Sequence, residues 1–580
     1  MKKFLGAFKV LSPKAKRRML LLLPLILLGM CLETLSVGMV VPALGILMSE
    51  SYFDQFPSLY PLLELLGNPT HKHLIFIGLS ALAASFFVKN VFIFFQVHYQ
   101  GTFVYSVQRE IAFQLFSRYL SKPYQFHLQT NSSVLIRNLV SEVANFCSFF
   151  LMPTLNLVTE LFVIVAILAL VFWVEPTGTI FLVLVMGLLV ILFIRVTNRI
   201  VGTWGKKRLE AEEEKLRHLQ QGFGGIKEII LSGRKEYFLR GFQLPNIVSG
   251  LMLKREYIFQ YVPKLGVETI AICSLVGMCL FLISSGKSNE EVTHMLGLMA
   301  TAGFRMIPSF SRILNNLQSI RYGWASVDIL KKEFTDPKFK TGVIPETYLS
   351  TNLQFNSLIE LKNIDFSYNE TKVVLKNVNL TIQKGNMIGI SGESGSGKST
   401  IVNLILGLVQ PSRGEVLVDG INVQIYNSSN WQRMIGYVPQ EVYLLDDTLR
   451  RNVAFGLEDS QIDDELVKST MKMAQIDNLI DSSNEGLNMT LGERGGRLSG
   501  GQKQRIGIAR ALYHNPEILV LDEATSALDS KTEKEILETL KPLVGKKTII
   551  FVAHRDAVLN FCTKIYNVER NEYVYDNSYL

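Results

Sequence analysis

Six apolar stretches, at about 19–48, 73–100, 145–173, 177–197, 257–285 and 293–322, dominate the first 330 residues. Each is long enough to cross a bilayer core of roughly 30 Å as a helix, and the last is the least apolar. Beyond residue 355 the pattern changes. Short β-rich runs, Val373-Val374-Leu375, Met387 to Ile390 and Ile518 to Leu521, alternate with helical segments, which predicts an α/β layer arrangement. Between the two regions, Pro337, Gly342 and Pro345 stand among charges and read as a polar linker. The expectation is a membrane all-α domain over 1–330, a linker over 331–355 and an α/β domain over 356–580.

Charge orients the apolar half. The segments after the first and third stretches hold Glu50, Asp54 and Glu64 against Lys72, and the short Glu175-Pro176-Thr177-Gly178. The segments after the second and fourth hold Arg109, Arg118, Lys122 and Arg137, then Lys206, Lys207, Arg208, Arg217, Lys227, Arg234, Lys235 and Arg240. Basic loops stay inside, so both termini and the α/β domain are expected in the cytoplasm. The basic run from Lys2 to Arg18 is followed by an apolar stretch that continues past Leu35 without a small-residue cleavage site, which predicts a retained helix and not a signal peptide. The inside loops are helix-prone, so the membrane helices should extend into the cytoplasm. Within one of them, Gly224 to Gly233 brackets a short amphipathic helix suited to docking on a soluble domain.

Composition fits a chain part membrane and part soluble, with 48% hydrophobic and 19% charged residues and a mean hydropathy of +0.24. The net charge of +8 is concentrated beside the apolar stretches and reads as topology, so no nucleic-acid partner is expected. Five cysteines show no metal or disulfide spacing.

The chemistry lies in the second half. Gly392-Glu393-Ser394-Gly395-Ser396-Gly397-Lys398-Ser399-Thr400 follows a predicted strand and opens a predicted helix, the setting a P-loop needs. Its glycines let backbone N–H groups wrap the phosphates of ATP, Lys398 reaches the outer phosphates, and the Ser399 hydroxyl serves Mg²⁺. Farther on, the apolar run Ile518 to Leu521 ends in Asp522 and Glu523. Asp522 is placed for the Mg²⁺ shell and Glu523 to polarise the attacking water. Taken alone, Asp522 would also serve as a helix cap.

Leu498-Ser499-Gly500-Gly501-Gln502 resembles the signature of ATP-binding cassette proteins. Other parts of the cassette occur in the same order. Tyr368 resembles the adenine-stacking aromatic, Gln440 the Q-loop glutamine, Ser526 to Asp529 the D-loop, His554 the switch histidine, and Gly492 to Gly495 an exporter-type loop. The resemblance implies that Ser499, Gly500, Gly501 and Gln502 contact ATP held by the P-loop of a second subunit. It implies further that His554 and Glu523 place the water, and that Gln440 joins the Mg²⁺ site to the membrane domain. With every motif intact, it implies a homodimer of exporter-type half-transporters.

Cargo is read from charges inside the apolar stretches: Glu33, Lys89, Glu160, Lys264, Glu268, Arg305 and Arg312. Facing lipid, they would together cost on the order of 20 kcal/mol, so most should face a cavity or a partner. Lys264 and Glu268, four apart, either neutralise each other or leave Lys264 free to join Lys89 and Arg305 as anion ligands. The leucine-rich segment from Ser58 to Leu66, with these basic positions, resembles the bacterial lipid-linked oligosaccharide flippase of protein N-glycosylation. That resemblance implies a polyprenyl-pyrophosphate glycan or related anionic glycolipid as cargo, moved across the bacterial inner membrane. Two alternatives remain at this point, a peptide or multidrug exporter and a non-transporting regulatory cassette protein. The first is expected to lack a leader-peptidase domain, since only 18 residues precede the first apolar stretch.

Overall fold

The computed structural model describes residues 6–48, 70–174, 176–284, 289–335, 354–369, 372–423, 428–481, 483–525, 528–553 and 555–576. The chain divides into two compact units, one of Met1–Lys122 with Thr130–Gly342 and one of Pro123–Gln129 with Val343–Leu580.

The first unit is helical. Helix α1 (Pro13–Gly38) begins with a proline, whose missing N–H is no loss in a first turn, and the Ser12 hydroxyl accepts from Ala15 N at 3.1 Å. The helix is interrupted at Met39 and resumes as α2 (Val40–Met48). Next come α3 (His71–Leu120), the short α4 (Tyr124–Gln129), which is counted with the second unit, and α5 (Ser132–Arg137), then two π-helical turns and α6 (Met152–Val174). The last four are α7 (Pro176–Gly224), α8 (Ile226–Ser232), α9 (Lys235–Ser284) and α10 (Asn289–Thr335). A 50-residue helix such as α3 is about 75 Å long, more than twice a bilayer core, so it continues far beyond the membrane. Within the described residues, all six apolar stretches lie on helices. Among the described residues, three segments meet the length and hydropathy needed to cross a membrane: Pro13–Ser36, His71–Leu120 and Ser132–Ala169. The leucine-rich segment from Ser58 to Leu66 lies outside the described residues.

Helices α7 and α10 approach closely because Gly205 has no side chain. A Cβ there would stand 2.4 Å from the carbonyl oxygen of Tyr322. Near this crossing Glu142, fully buried in the first π turn, accepts from Arg208 of α7 at 3.3 Å and from Ser326 of α10. Helix α8 forms where expected, and Gly233 at its end takes the left-handed φ of 64°. It presents Ile226, Ile230 and Leu231 outward at 50%, 70% and 77% exposure.

The second unit contains two sheets. An antiparallel sheet, absent from the sequence expectation, has the order β2-β1-β4-β5, with β1 (Leu358–Asn369), β2 (Lys372–Gln383), β4 (Arg413–Val418) and β5 (Ile421–Asn422). The other sheet is built on parallel strands, in the order β10-β9-β3-β8-β7-β6. These strands are β3 (Met387–Ser391), β6 (Ile435–Val438), β7 (Ile518–Asp522), β8 (Thr548–Val552), β9 (Lys564–Asn567) and β10 (Glu572–Asp576). Alternate residues feed two cores: Leu519, Leu521, Ile549 and Phe551 enter one, and Ile518, Val520, Ile550 and Val552 enter the other. Burial on both faces explains why these runs are apolar throughout instead of alternating. Trp431, fully buried, donates from Nε1 to Ile405 O at 2.6 Å.

Cys562 packs in the first of these cores, where burial pushes its thiol up to about 12. The expected result is no alkylation of Cys562 by iodoacetamide at about pH 8 in the native protein, and ready alkylation after urea, read by peptide mass spectrometry. Labelling of the native protein would contradict the packing.

Candidate functional site: a nucleotide site on the sheet edge

Strand register assembles the site. In the parallel sheet Ile390 pairs with Val552, Asp522 with Val552, and Val438 with Leu521, so β3, β8, β7 and β6 end level with one another. The loops that follow carry the P-loop, Glu523 and Gln440 to one edge, where ligands bind in open α/β sheets.

The P-loop leaves β3 at Ser391 and enters helix α11 (Lys398–Ile405). Gly392, Gly395 and Gly397 have φ of 151°, 87° and 101°, values that L side chains rarely adopt. Lys398 is buried, and its Nζ donates to Gly392 O at 2.9 Å and Glu393 O at 2.7 Å, closing the loop on itself. Desolvation lowers the Lys398 ammonium from its ordinary value. The Ser396 hydroxyl is buried without a hydrogen-bond partner in the same loop, an orphaned polar atom of the kind a phosphate oxygen satisfies. Ser394 and Ser399 are exposed, and Thr400 is buried beneath the loop. The Tyr368 hydroxyl lies 3.3 Å from Thr400 Oγ1, which ties the aromatic of β1 to the start of the P-loop helix.

Gln440, after β6, donates from Nε2 to Glu523 Oε2 at 2.7 Å. The family resemblance implied a role for each residue but no reason to pair them. Glu523 has a φ of 47°, unusual for a residue with a Cβ and a form of backbone strain that collects at working sites. Asp522 is buried at the end of β7, with the Tyr437 hydroxyl 3.5 Å from Oδ2. Burial first, and then the neighbouring Glu523, holds the Asp522 carboxyl above the usual carboxylate range. A cation would relieve that cost. Among the described residues no cluster of three or more His, Cys, Asp or Glu could hold a metal by itself. Mg²⁺ does not need one, because it keeps waters and phosphate oxygens and takes only one or two protein carboxylates. Asp522, Ser399 and Gln440 suit that demand.

Ser499 begins helix α12 (Gly500–Tyr513) as its N-cap. Its hydroxyl accepts from Gln502 N at 3.2 Å while Gln502 Oε1 accepts from Ser499 N at 2.8 Å. The hydroxyl proton is left over, together with the outward N–H groups of the first turn, as donors for an anion. Among the described residues, no hydrogen bond of Lys398 reaches the Ser499 segment. Asp529 caps the helix Ser530–Leu540 by accepting from Thr532. Ser526, Ala527 and His554 lie outside the described residues.

The chain matches the family description "ABC transporter" over residues 375–526 and "ABC transporter transmembrane region" over 47–288. Its fold superposes on the structure of a bacterial Atm1-family ABC exporter with ATP bound, with a TM-score of 0.80, 20% identity and coverage of 97% of this chain and 95% of that one. The protein is an ABC exporter by fold. The membrane all-α domain fused to an ATP-binding cassette is therefore as the sequence implied, and so is the enzyme class, an ABC-type ATPase. The ATP-dependent lipid A-core flippase of Burkholderia pseudomallei is 26% identical over 81% of this chain and 78% of its own length. The heterocyst differentiation ATP-binding protein HepA of Nostoc is 36% identical over 46% of this chain, and the match spans 44% of that relative.

The membrane unit of this exporter encloses a cavity of 430 Å³ lined from α1, α3, α6 and α10. Amides crowd it: Asn90, Gln96, Gln100, Asn156, Asn315 and Asn316. Glu33 and Lys89, both buried, and the ion pair of Glu160 with Arg312 Nε at 2.6 Å complete the polar wall. The three basic residues singled out in the sequence do not behave alike. Lys89 lines the cavity, with its ammonium 4.5 Å from the Phe86 ring centroid. Lys264 is exposed on α9 and does not line the cavity; among the described residues it forms no ion pair with Glu268. Arg305 lies on α10, and its side chain is outside the described residues. The neutralising pair that sequence spacing suggested is replaced by Glu160 and Arg312, which meet across helices. The amides had no signal in the sequence, because they are scattered over three helices.

Proposed function

We propose that the protein is a homodimeric, ATP-driven flippase that moves a polyprenyl-pyrophosphate-linked glycan, or a related anionic glycolipid, from the cytoplasmic to the outer leaflet of the bacterial cytoplasmic membrane. The observation that carries this reading is the cavity of 430 Å³ with six amides and Lys89 on its wall. Amides donate and accept at once, as sugar hydroxyls do, and a polar cavity at membrane depth marks a substrate path. A drug exporter would be expected to offer a more apolar wall. The likeness to a lipid A-core flippase supports a glycolipid cargo in general terms.

In this mechanism the P-loop and Lys398 bind the phosphates of ATP, Asp522 and Ser399 hold its Mg²⁺, and Glu523, positioned by Gln440, draws a proton from the attacking water. The free donors of Ser499 and of the first turn of α12 meet the γ-phosphate bound by the second copy, so ATP draws the two cassettes together and hydrolysis releases them. The exposed apolar residues Ile226, Ile230 and Leu231 give each copy a docking face for a cassette. Lys89 serves the pyrophosphate, and Lys264 and Arg305 would join it in a cavity shared by the two copies.

The test is translocation in proteoliposomes, measured per ATP hydrolysed, for wild type and for Lys89→Gln/Lys264→Gln/Arg305→Gln. Loss of three charge-assisted contacts should lower translocation of a polyprenyl-pyrophosphate glycan at least about tenfold. Undiminished translocation would refute the charge assignment. Transport of hydrophobic drugs or peptides, with none of the glycolipid, would overturn the cargo class.

A further inference from the structure

A second opening on the membrane unit, a groove of 560 Å³ between α1 and α3, has a different character. The two helices run antiparallel. Ser36 donates to Ser85 O at 3.3 Å, and a Cβ on Gly29 would meet the Gln96 side chain, so numbers rise along one helix as they fall along the other. Continued toward the N-terminus of α1, that register sets Arg18 near Ser106, with Arg109 one turn away. Both guanidiniums therefore stand at the same end of the groove, on the side that the charge pattern assigns to the cytoplasm. Ser106 and Thr102 follow, and then Leu22, Leu25 and Phe103.

The gradient matches one half of a bilayer. From Arg18 to Leu25 the helix rises about 10 Å, within the roughly 15 Å of hydrocarbon that one leaflet contributes. Among the described residues no acidic side chain lines the groove, and neither Arg18 nor Arg109 forms an ion pair. Its rim is Leu21 and Tyr99, 74% and 56% exposed, so it opens sideways to the surroundings and not inward to the amide cavity. Basic pockets between membrane helices at the cytoplasmic face suit anionic head groups.

We propose that this groove binds an anionic phospholipid of the bilayer itself. Its phosphate sits between Arg18 and Arg109, and the first methylenes of its chains lie along Leu22, Leu25 and Phe103. The occupant is resident lipid and not cargo: the groove carries none of the amides that a glycan head group would require.

The experiment uses the full chain, purified and incubated with phosphatidylglycerol and phosphatidylcholine at equal amounts, with bound lipids counted by native mass spectrometry. Wild type should prefer phosphatidylglycerol, and Arg18→Gln/Arg109→Gln should lower that preference about tenfold or more. Arg17→Gln, an exposed charge on the same turn but outside the groove, should leave it intact. Arg18→Lys/Arg109→Lys, which keeps the charge without the bidentate fork, should fall between, and it supplies the answer should the glutamine variant fail to fold. A preference unchanged in the double variants overturns the proposal. So does selective displacement of the phosphatidylglycerol by polyprenyl phosphate, which would assign the groove to cargo. Neither result depends on whether the glycolipid is transported.

Discussion

Glu523→Gln should stop turnover while leaving ATP bound. A general base at a reacting water contributes roughly 10²–10⁴-fold, and that is the expected loss in kcat. The substitution is chosen because it conserves geometry. The Gln440 amide, which donates to Glu523 Oε2 at 2.7 Å, can donate equally to a glutamine oxygen. The residue's left-handed backbone, with φ of 47°, is no harder for glutamine than for glutamate. What disappears is the negative charge that accepts the proton. Steady-state phosphate release and filter binding of labelled ATP on the full chain separate the two effects. Retention of more than about a tenth of wild-type turnover would remove Glu523 from the role of base.

Lys398→Ala should fail one step earlier, at binding. The buried ammonium holds two loop carbonyls, at Gly392 and Glu393, and in the proposed mechanism its charge serves the phosphates. Hydrogen bonds to charged groups are worth about 1.5–3 kcal/mol each, so ATP affinity should fall roughly 100-fold or more. Titration with a fluorescent nucleotide reads the loss directly. The pair of variants is informative together, since one separates binding from chemistry and the other removes both. Affinity within about threefold of wild type for Lys398→Ala would mean that the backbone cradle alone carries the phosphates.

Why some of this was legible in the sequence, and some not, follows from the range of the interactions. The P-loop is a local object. Gly392 to Thr400 adopt their shape within nine consecutive positions, and the glycines that permit it are visible in the sequence. The runs Met387 to Ile390 and Ile518 to Leu521 could be read as strands because a sheet covered on both faces leaves no polar alternation. The contact of Gln440 with Glu523 was not legible, since it depends on β6 lying beside β7, a pairing between segments about eighty positions apart. Lys264 and Glu268 show the reverse error. A spacing of four places two residues on one helix face, but says nothing about whether their side chains meet. The partner of Glu160 lies on another helix entirely, at Arg312. The short helix Tyr124–Gln129, which groups with the cassette unit, was likewise unmarked, being six residues of mixed polarity with no glycine bracket to announce it.

The clasp of Glu142, Arg208 and Ser326 bears on how such a transporter moves. A fully buried carboxylate held by a guanidinium on one helix and a hydroxyl on another cannot be parted gradually, because neither charge has water to turn to. The three segments it joins are thus obliged to travel in concert during a transport cycle. Bending is left to places where the backbone is already relieved of its regular bonding, such as the helix-interior prolines at 24, 245, 263 and 308. The membrane unit so built behaves less like a bundle of independent rods than like a few stiff levers hinged at chosen points.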